Sequence, residues 1–557
     1  MQKTLLTLPF LLLPLLSSGS LSEQDPNAEW LPFRHSSLCA RCHDNSEGAQ
    51  ALRDEVGKPL APYDLWQSTM MANSARDPFW RAAVAREVEH TPAAKKAIEA
   101  KCMRCHSPMA NPAHGDRAHE FRMSMLTEVS DLATAALDGV SCTVCHTIQD
   151  KGLGTEASYS GKFRVNRDRR LYGPHKDLFA MPMRRFTGLT GQQSDHVLQS
   201  KLCGSCHNLE THALHPDGTP TGSVHQEQSP YREWRNSVFN TEVDKPDPKA
   251  ASCQDCHVPK TSEAGRELRT RIAHNPMGRD FSIPDRSPVG RHLFVGGNSL
   301  IPSLFRDHPE LRARAPRKAF DATVAAVRDQ LRHRTARVEI QDIVLEDQQL
   351  RFGVKIQNLA GHKLPSAYPS RRAWLRIRVL DKANRTRFES GNWNALGFLI
   401  DDGGKVLDSE KAGHPIQRHH ARITSSDQVQ IYEAVMKDDA GKNTWLLMRA
   451  SGYAKDNRLL PEGWSKEHEE ASKTAPAGLG KDPDFIGGGD TVRVEIPLDT
   501  KGGPYRIQVD LVYQSQGGRY LSEFLTAKNP EVRRYEKLWK TADRRPDLVA
   551  SDEESIR

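Results

Sequence analysis

After its first twenty residues the chain has no apolar run long enough to cross a bilayer, and its mean hydropathy is −0.64. A transmembrane helix is therefore excluded from that part of the sequence. No segment interleaves aromatic and basic residues in a nucleic-acid recognition pattern, so the formal charge of +7 is no argument for a nucleic-acid partner. Cysteine is scarce and none is spare: all ten fall into five pairs, and none occurs after Cys256. Hydrophobic residues make up only 37% of 557, a modest supply for a chain too long for one core and expected to divide into two or three domains.

The five pairs share one pattern. They read Cys39-Ala-Arg-Cys42-His43, Cys102-Met-Arg-Cys105-His106, Cys142-Thr-Val-Cys145-His146, Cys203-Gly-Ser-Cys206-His207 and Cys253-Gln-Asp-Cys256-His257. C-x-x-C-H is the attachment sequence for c-type haem: two thiols add across the haem vinyl groups, and the next imidazole becomes the proximal iron ligand. From the Cys and His frequencies about 0.01 such pentads are expected by chance in this length. A disulfide framework or a redox pair does not need a histidine after every second cysteine, and zinc needs two pairs per tetrahedron, which an odd number cannot supply. The sequence thus predicts five covalent haems, with His43, His106, His146, His207 and His257 on the irons.

Residues 1–20 have a signal-peptide layout: Lys3, an apolar run from Leu5 to Leu16, then Ser17, Ser18, Gly19 and Ser20. The alternative is an uncleaved anchor, since the small-residue region lacks alanines. No cysteine closely follows the run, which argues against a lipid anchor. The expected location is the periplasm or the cell exterior. Ten haem propionates and five ferric cores would bring the charge from +7 to about +2.

Residues 21–330 read as a pentahaem cytochrome domain, mainly helical and irregular. Asp77-Pro78-Phe79-Trp80 opens a helix toward Glu89, with Asp as cap and Pro in the first turn. Breaks such as Tyr172-Gly173-Pro174 and Pro216-Asp217-Gly218 recur. A short repeat, Tyr-x-x-Trp-x-x-(Ser/Thr), occurs at Tyr63–Thr69 after the first motif and at Tyr231–Ser237 after the fourth.

The segments Trp66-x-x-Thr69-x-Met71-Ala72, Asp138-Gly139-Val140-Ser141-Cys142, Gln199-Ser-Lys-Leu-Cys203 and Glu227-Gln-Ser-Pro-Tyr231-x-x-Trp234 resemble the multihaem cytochromes related to the tetrahaem electron acceptor of hydroxylamine oxidoreductase. The resemblance covers about 38–259 and implies periplasmic electron transfer with redox partner proteins it does not name. In that family a Trp-x-x-Ser-x-His-Ala segment supplies an axial histidine. Here Met71 holds that place, which the resemblance implies is a ligand position.

From about Thr335 hydrophobic residues alternate at period two, as in Val338/Ile340, Ala373/Leu375/Ile377/Val379, Val492/Val494/Ile496 and Tyr505/Ile507/Val509/Leu511/Tyr513. This predicts an all-β, sandwich-like domain over 331–528, free of covalent haem and followed by a charged tail, helical or loose, at 529–557. The fold class is thus multidomain. The segment Asn358-Leu-Ala-Gly361-His362-Lys-Leu-Pro365 with Ser370-Arg-Arg-Ala-Trp374 resembles a module appended to some multihaem cytochromes.

Each iron has room for a second axial ligand. Candidates are His35, Met71, His175, His196, His212 and His362, with His114, His119, His215, His225, His274 and His292 behind them. Two functions fit: an electron relay with every iron six-coordinate, or an oxidoreductase with one open iron acting on a small nitrogen or sulfur compound. Every motif ends in histidine, with no lysine-ligated variant, which favours the relay. Membership of a membrane complex or cytochrome assembly is compatible with both.

Overall fold

A computed structural model describes residues 32–111 and 122–556. The expected signal peptide, and His114 and His119, lie outside the described residues. No described helix is long and apolar enough to cross a membrane.

The first half is built of short helices joined by loops. The motifs sit on or against the helices Ser37–His43, Lys95–His106, Cys142–Thr147, Ser200–Gly204 and Cys253–His257. The last begins with a capping box, in which Ser252 and Asp255 satisfy each other's backbone N–H groups. The helix expected from Asp77 spans Pro78–His90, and the Asp77 carboxylate accepts from Phe79 and Trp80 N–H at 2.8 and 3.3 Å. Two small strand pairs interrupt this half: Arg170–Gly173 with Thr190–Gln193 in parallel, and the hairpin Leu209–Leu214/Pro220–Gln228 that turns at Pro216-Asp217-Gly218.

The second half holds two larger sheets. One orders Ala336–Glu346, Gln349–Asn358, Gly489–Pro497 and Arg422–Ile423. The other has Asn443–Thr444, Ile431–Lys437, Arg372–Leu380, Tyr505–Gln514 and Asp547–Ile556 along its path, with Gly452–Asp456 and Thr386–Ser390 as branches. Val354, Ile356, Val492 and Val494 from one sheet and Leu375, Ile377, Ile507 and Val509 from the other are all under 2% exposed in a single core. Two half-buried sheets closing on each other are what the alternating pattern dictates.

Three expectations need correction. Residues 529–557, expected as a charged tail either helical or loose, are helical over Pro530–Thr541 and then, against that expectation, form the strand Asp547–Ile556, antiparallel to Tyr505–Gln514. The helix buries Val532, Tyr535, Leu538 and Trp539, a helical spacing masked by the charges between them. The second half is not all-β, since Gly518–Phe524 is also helical. Nor do the halves part cleanly at residue 330. The helix Arg317–Arg334 runs across that point, and Ala82, Ile301 and Phe305 share a core with Tyr520, Phe524, Tyr535 and Trp539.

Candidate haem-binding cavity

One cavity of about 1780 Å³ is lined by all ten cysteines and all five motif histidines. None of the cysteines is in a disulfide. The wall is otherwise rich in aliphatic and aromatic side chains, as a porphyrin requires.

The histidines are set up as ligands. His43 Nδ1 meets the Ile272 carbonyl at 2.9 Å, His106 that of Ser74 at 3.3 Å, His146 that of Tyr172 at 2.5 Å and His257 that of Val295 at 2.7 Å. A carbonyl on Nδ1 fixes the tautomer and leaves Nε2 free for a metal, the usual outer-shell arrangement. Burial pushes all five below the usual imidazole range, His106 and His207 down to about 4. They are therefore neutral at pH 7, the form that donates a lone pair to iron. The residues fit covalent haem.

The motifs meet in a connected order. The Cys39 thiol touches that of Cys142, Cys105 touches Cys206, and Cys203 touches Cys253. The electrostatic neighbours repeat the order: His43 with His146, His106 with His207, and His207 with His257. Cys145 and Cys206 link the third motif to the fourth.

The short repeat has a structural job. Trp66 Nε1 donates to the Val140 carbonyl and Trp234 Nε1 to the Ala251 carbonyl, both at 2.9 Å. Each acceptor lies two residues before the first cysteine of a motif, the third and the fifth. Five residues after each tryptophan the chain accepts again: Val140 N–H donates to Met71 O, and Ala251 N–H to Phe239 O, both at 3.0 Å. Met71 and Phe239 are therefore equivalent, and both line the cavity. Gly139, at φ +63°, lies so close that a Cβ there would stand 2.6 Å from Met71 O, which accounts for the glycine of Asp138-Gly139-Val140.

The other ligand candidates divide sharply. His175 and His362 line the cavity with Met71, whereas His35, His196 and His212 do not. His35 has Ser37 on Nδ1 and the buried Asp138 on Nε2. His196 has Ser194 and the Ile148 carbonyl on its two nitrogens. His212 is exposed on a hairpin strand. His274 lines the cavity but holds the Asn275 carbonyl and Asp44. His292 faces the cavity with Nδ1 on the Gly290 carbonyl at 3.0 Å, and its field reaches His146 and His43. Sequence reasoning ranked it low, for want of any nearby motif.

His362 stands opposite a motif histidine. Its ring and that of His257 have centroids 6.5 Å apart and planes 8° apart. Both Nδ1 atoms are held by backbone carbonyls, that of His362 by Lys363 O at 2.9 Å. Two imidazoles across one metal, with bonds near 2 Å, have centroids about 6 Å apart. A Cβ on Gly361 would meet Trp234 Cδ1 at 3.1 Å and Phe239 Cβ at 3.3 Å, so glycine lets this loop close over the second repeat. Glu233 accepts from Lys363 N–H at 3.1 Å and Ser366 Oγ at 2.5 Å, and Lys363 Nζ reaches Asp456 at 2.6 Å.

The second motif has polar company. Glu87, Glu227 and Lys101 act on the Cys102 thiol and line the cavity with Tyr368. Glu87 also accepts from Leu447 and Met448 N–H at 2.6 and 3.2 Å, joining the two halves. Burial pushes its carboxyl from 4.5 up to about 7. A carboxyl raised on folding costs stability as pH climbs from 4.5 toward 7 and costs none below that window. At about 1.4 kcal/mol per unit, the full cost above it is about 3 kcal/mol. Glu87→Gln, which keeps one of the two acceptor oxygens and sets an amide NH2 against the other backbone N–H, should flatten the fall in stability across that window, with the gain at about pH 8 held below that amount by the lost hydrogen bond. Denaturant unfolding at pH 5 and 8 measures it.

Residues 38–147 match the family model described as cytochrome c554 and c-prime. Comparison with curated proteins found no match. Among solved structures, a penta-heme cytochrome c552 from Thermochromatium tepidum is similar at 16% identity and a TM-score of 0.50, over 94% of this chain and 98% of that one. That likeness concerns the fold. Taken with the motifs and the cavity they line, these findings support a multihaem c-type cytochrome.

Proposed function

We propose that the chain is a pentahaem electron-transfer protein of the periplasm or cell surface that passes electrons between redox partner proteins. The observation that carries this is the connected order of the motifs inside one cavity. The first motif meets the third, the third meets the fourth, and the fourth meets the second and the fifth. Haems on these anchors would form a branched relay with the fourth at its junction. Their chemistry is one-electron exchange at iron; the protein's part is to fix the order and tune each potential through axial ligand and burial.

Placement supports an axial assignment: His257 and His362 would hold one iron between them. Met71, His175 and His292 are the remaining cavity-facing candidates, since His274 has both nitrogens engaged by Asn275 and Asp44. A thioether favours ferrous iron, so Met71→His should lower one midpoint potential and remove any sulfur-to-iron charge-transfer band. Spectroelectrochemistry of the variant checks this, and unchanged potentials would make Met71 a packing residue.

A second reading is favoured by Glu87, Lys101, Glu227 and Tyr368 around the second motif. These groups would supply protons if that iron were open to a small oxidised nitrogen or sulfur substrate. EPR of the ferric protein separates the two readings: only low-spin signals support the relay, and a high-spin signal supports the oxidoreductase.

A further inference from the structure

A partly buried group of carboxylates lies outside the lining of the haem cavity, where the two large sheets meet. Asp482 and Asp484 come from the loop Lys481-Asp482-Pro483-Asp484-Phe485, Asp490 from the start of the strand Gly489–Pro497, and His419 from the loop before Arg422–Ile423. One side-chain ligand atom from each of His419, Asp482 and Asp490 lies within 4.8 Å of the others. Asp482 and Asp484 touch each other, and both act on Asp490.

Asp490 is only 2% exposed. Its Oδ2 accepts from Tyr432 OH at 2.7 Å and Gln430 Nε2 at 3.4 Å, yet its Oδ1 is buried with no partner. An orphaned carboxylate oxygen beside two more carboxylates is costly unless a positive charge joins it. The nearby cations do not serve: Arg493 stands 3.8 Å from Asp484 on the solvent side, and Lys455 is taken by Glu433 at 2.9 Å.

The histidine narrows the choice of cation. His419 Nδ1 accepts from Gln430 Nε2 at 2.9 Å and Asn457 Nδ2 at 3.0 Å. Both amides are fixed, since Gln430 Oε1 accepts from His420 N–H and Asn457 Oδ1 from Glu433 N–H. The proton of the neutral ring is therefore on Nε2, which donates to Asp482 Oδ2 at 2.6 Å. His419 orients a carboxylate and has no lone pair left for a metal. The donors are oxygens alone, the set that suits a hard divalent cation and not zinc or copper.

We propose that Asp482, Asp484 and Asp490 bind a calcium-class divalent cation that pins the two sheets together, with His419 as the positioning residue for Asp482. The ion would tie the 482–490 loop and its strand to Gln430 and Tyr432 on the facing sheet. It would also brace Asn457, next to the Asp456 that holds Lys363 in the His362 loop.

The test uses the full haem-loaded protein, treated with EGTA and titrated with Ca²⁺ by calorimetry and by thermal melting. One equivalent should bind, with the melting temperature rising by several degrees and the haem spectrum unchanged. Asp490→Asn should abolish binding, and Asp484→Asn, nearer the surface, should weaken it at least tenfold and carries the test if the first variant does not fold. Absence of binding heat and of a melting shift in the wild type would overturn the proposal. So would undiminished affinity in Asp484→Asn. Zn²⁺ bound in preference to Ca²⁺ would overturn the all-oxygen assignment. None of these outcomes bears on haem number or relay order.

Discussion

His362→Ala should convert one haem, that of Cys253, Cys256 and His257, from low to high spin and leave the others as they were. The two rings have centroids 6.5 Å apart and planes 8° from parallel, with both Nδ1 atoms committed to carbonyls. Removing one imidazole leaves that iron five-coordinate, because the equivalent position in the repeat is Phe239, which has no lone pair to offer. Added imidazole should restore the low-spin signal, which a merely structural defect would not allow. An iron bond to His362 would also pin the second half of the chain to the first, so cleavage by protease between 312 and 337 should accelerate. A low-spin spectrum and protease resistance both unchanged would show that His362 is no ligand.

The second large effect is expected at Glu233. It is fully buried and accepts from Lys363 N–H and Ser366 Oγ, while Arg458 approaches it at 3.5 Å. Asp456 is the other anion in this group, at 2.6 Å from Lys363 and 2.7 Å from Arg458. Two buried cations hold Asp456 well below the usual carboxylate range. Glu233→Ala leaves those two cations sharing one anion, and breaking a buried ion network in this way costs about 3–5 kcal/mol. Because Lys363 adjoins His362, the same variant should broaden the EPR signal of the fifth-motif haem. Glu233→Gln keeps an acceptor for Lys363 and Ser366 and should cost less. Denaturant unfolding with EPR on both variants measures the difference, and equal effects would deny the charge a role.

What could be read from the sequence depended on how local each constraint is. The attachment motifs were legible because two thioethers and one imidazole on a single macrocycle demand a fixed short spacing. The strands around Leu375, Val494 and Val509 were legible because one-sided burial prints period two. Within 529–557 the helix was one of two readings and the strand was missed, because charged residues crowd the exposed faces of an amphipathic helix and an edge strand. Which candidate faces which motif was hidden for another reason: His257 and His362 are far apart in the chain, and only the folded loop over Trp234 brings them together. His35 and His196 looked available by their nearness to motifs, but Asp138 and the Ile148 carbonyl occupy the nitrogens a metal would need. The Tyr-x-x-Trp repeat was visible as a pattern, while its work, holding the backbone ahead of the third and fifth motifs, is a long-range contact.

Mass spectrometry of the mature protein under denaturing conditions tests the central claim most directly, because thioether-linked haem survives unfolding and free or axially held haem does not. The account predicts a single species carrying five haems, one on each cysteine pair from Cys39/Cys42 to Cys253/Cys256. Four or fewer haems in fully matured protein would contradict it.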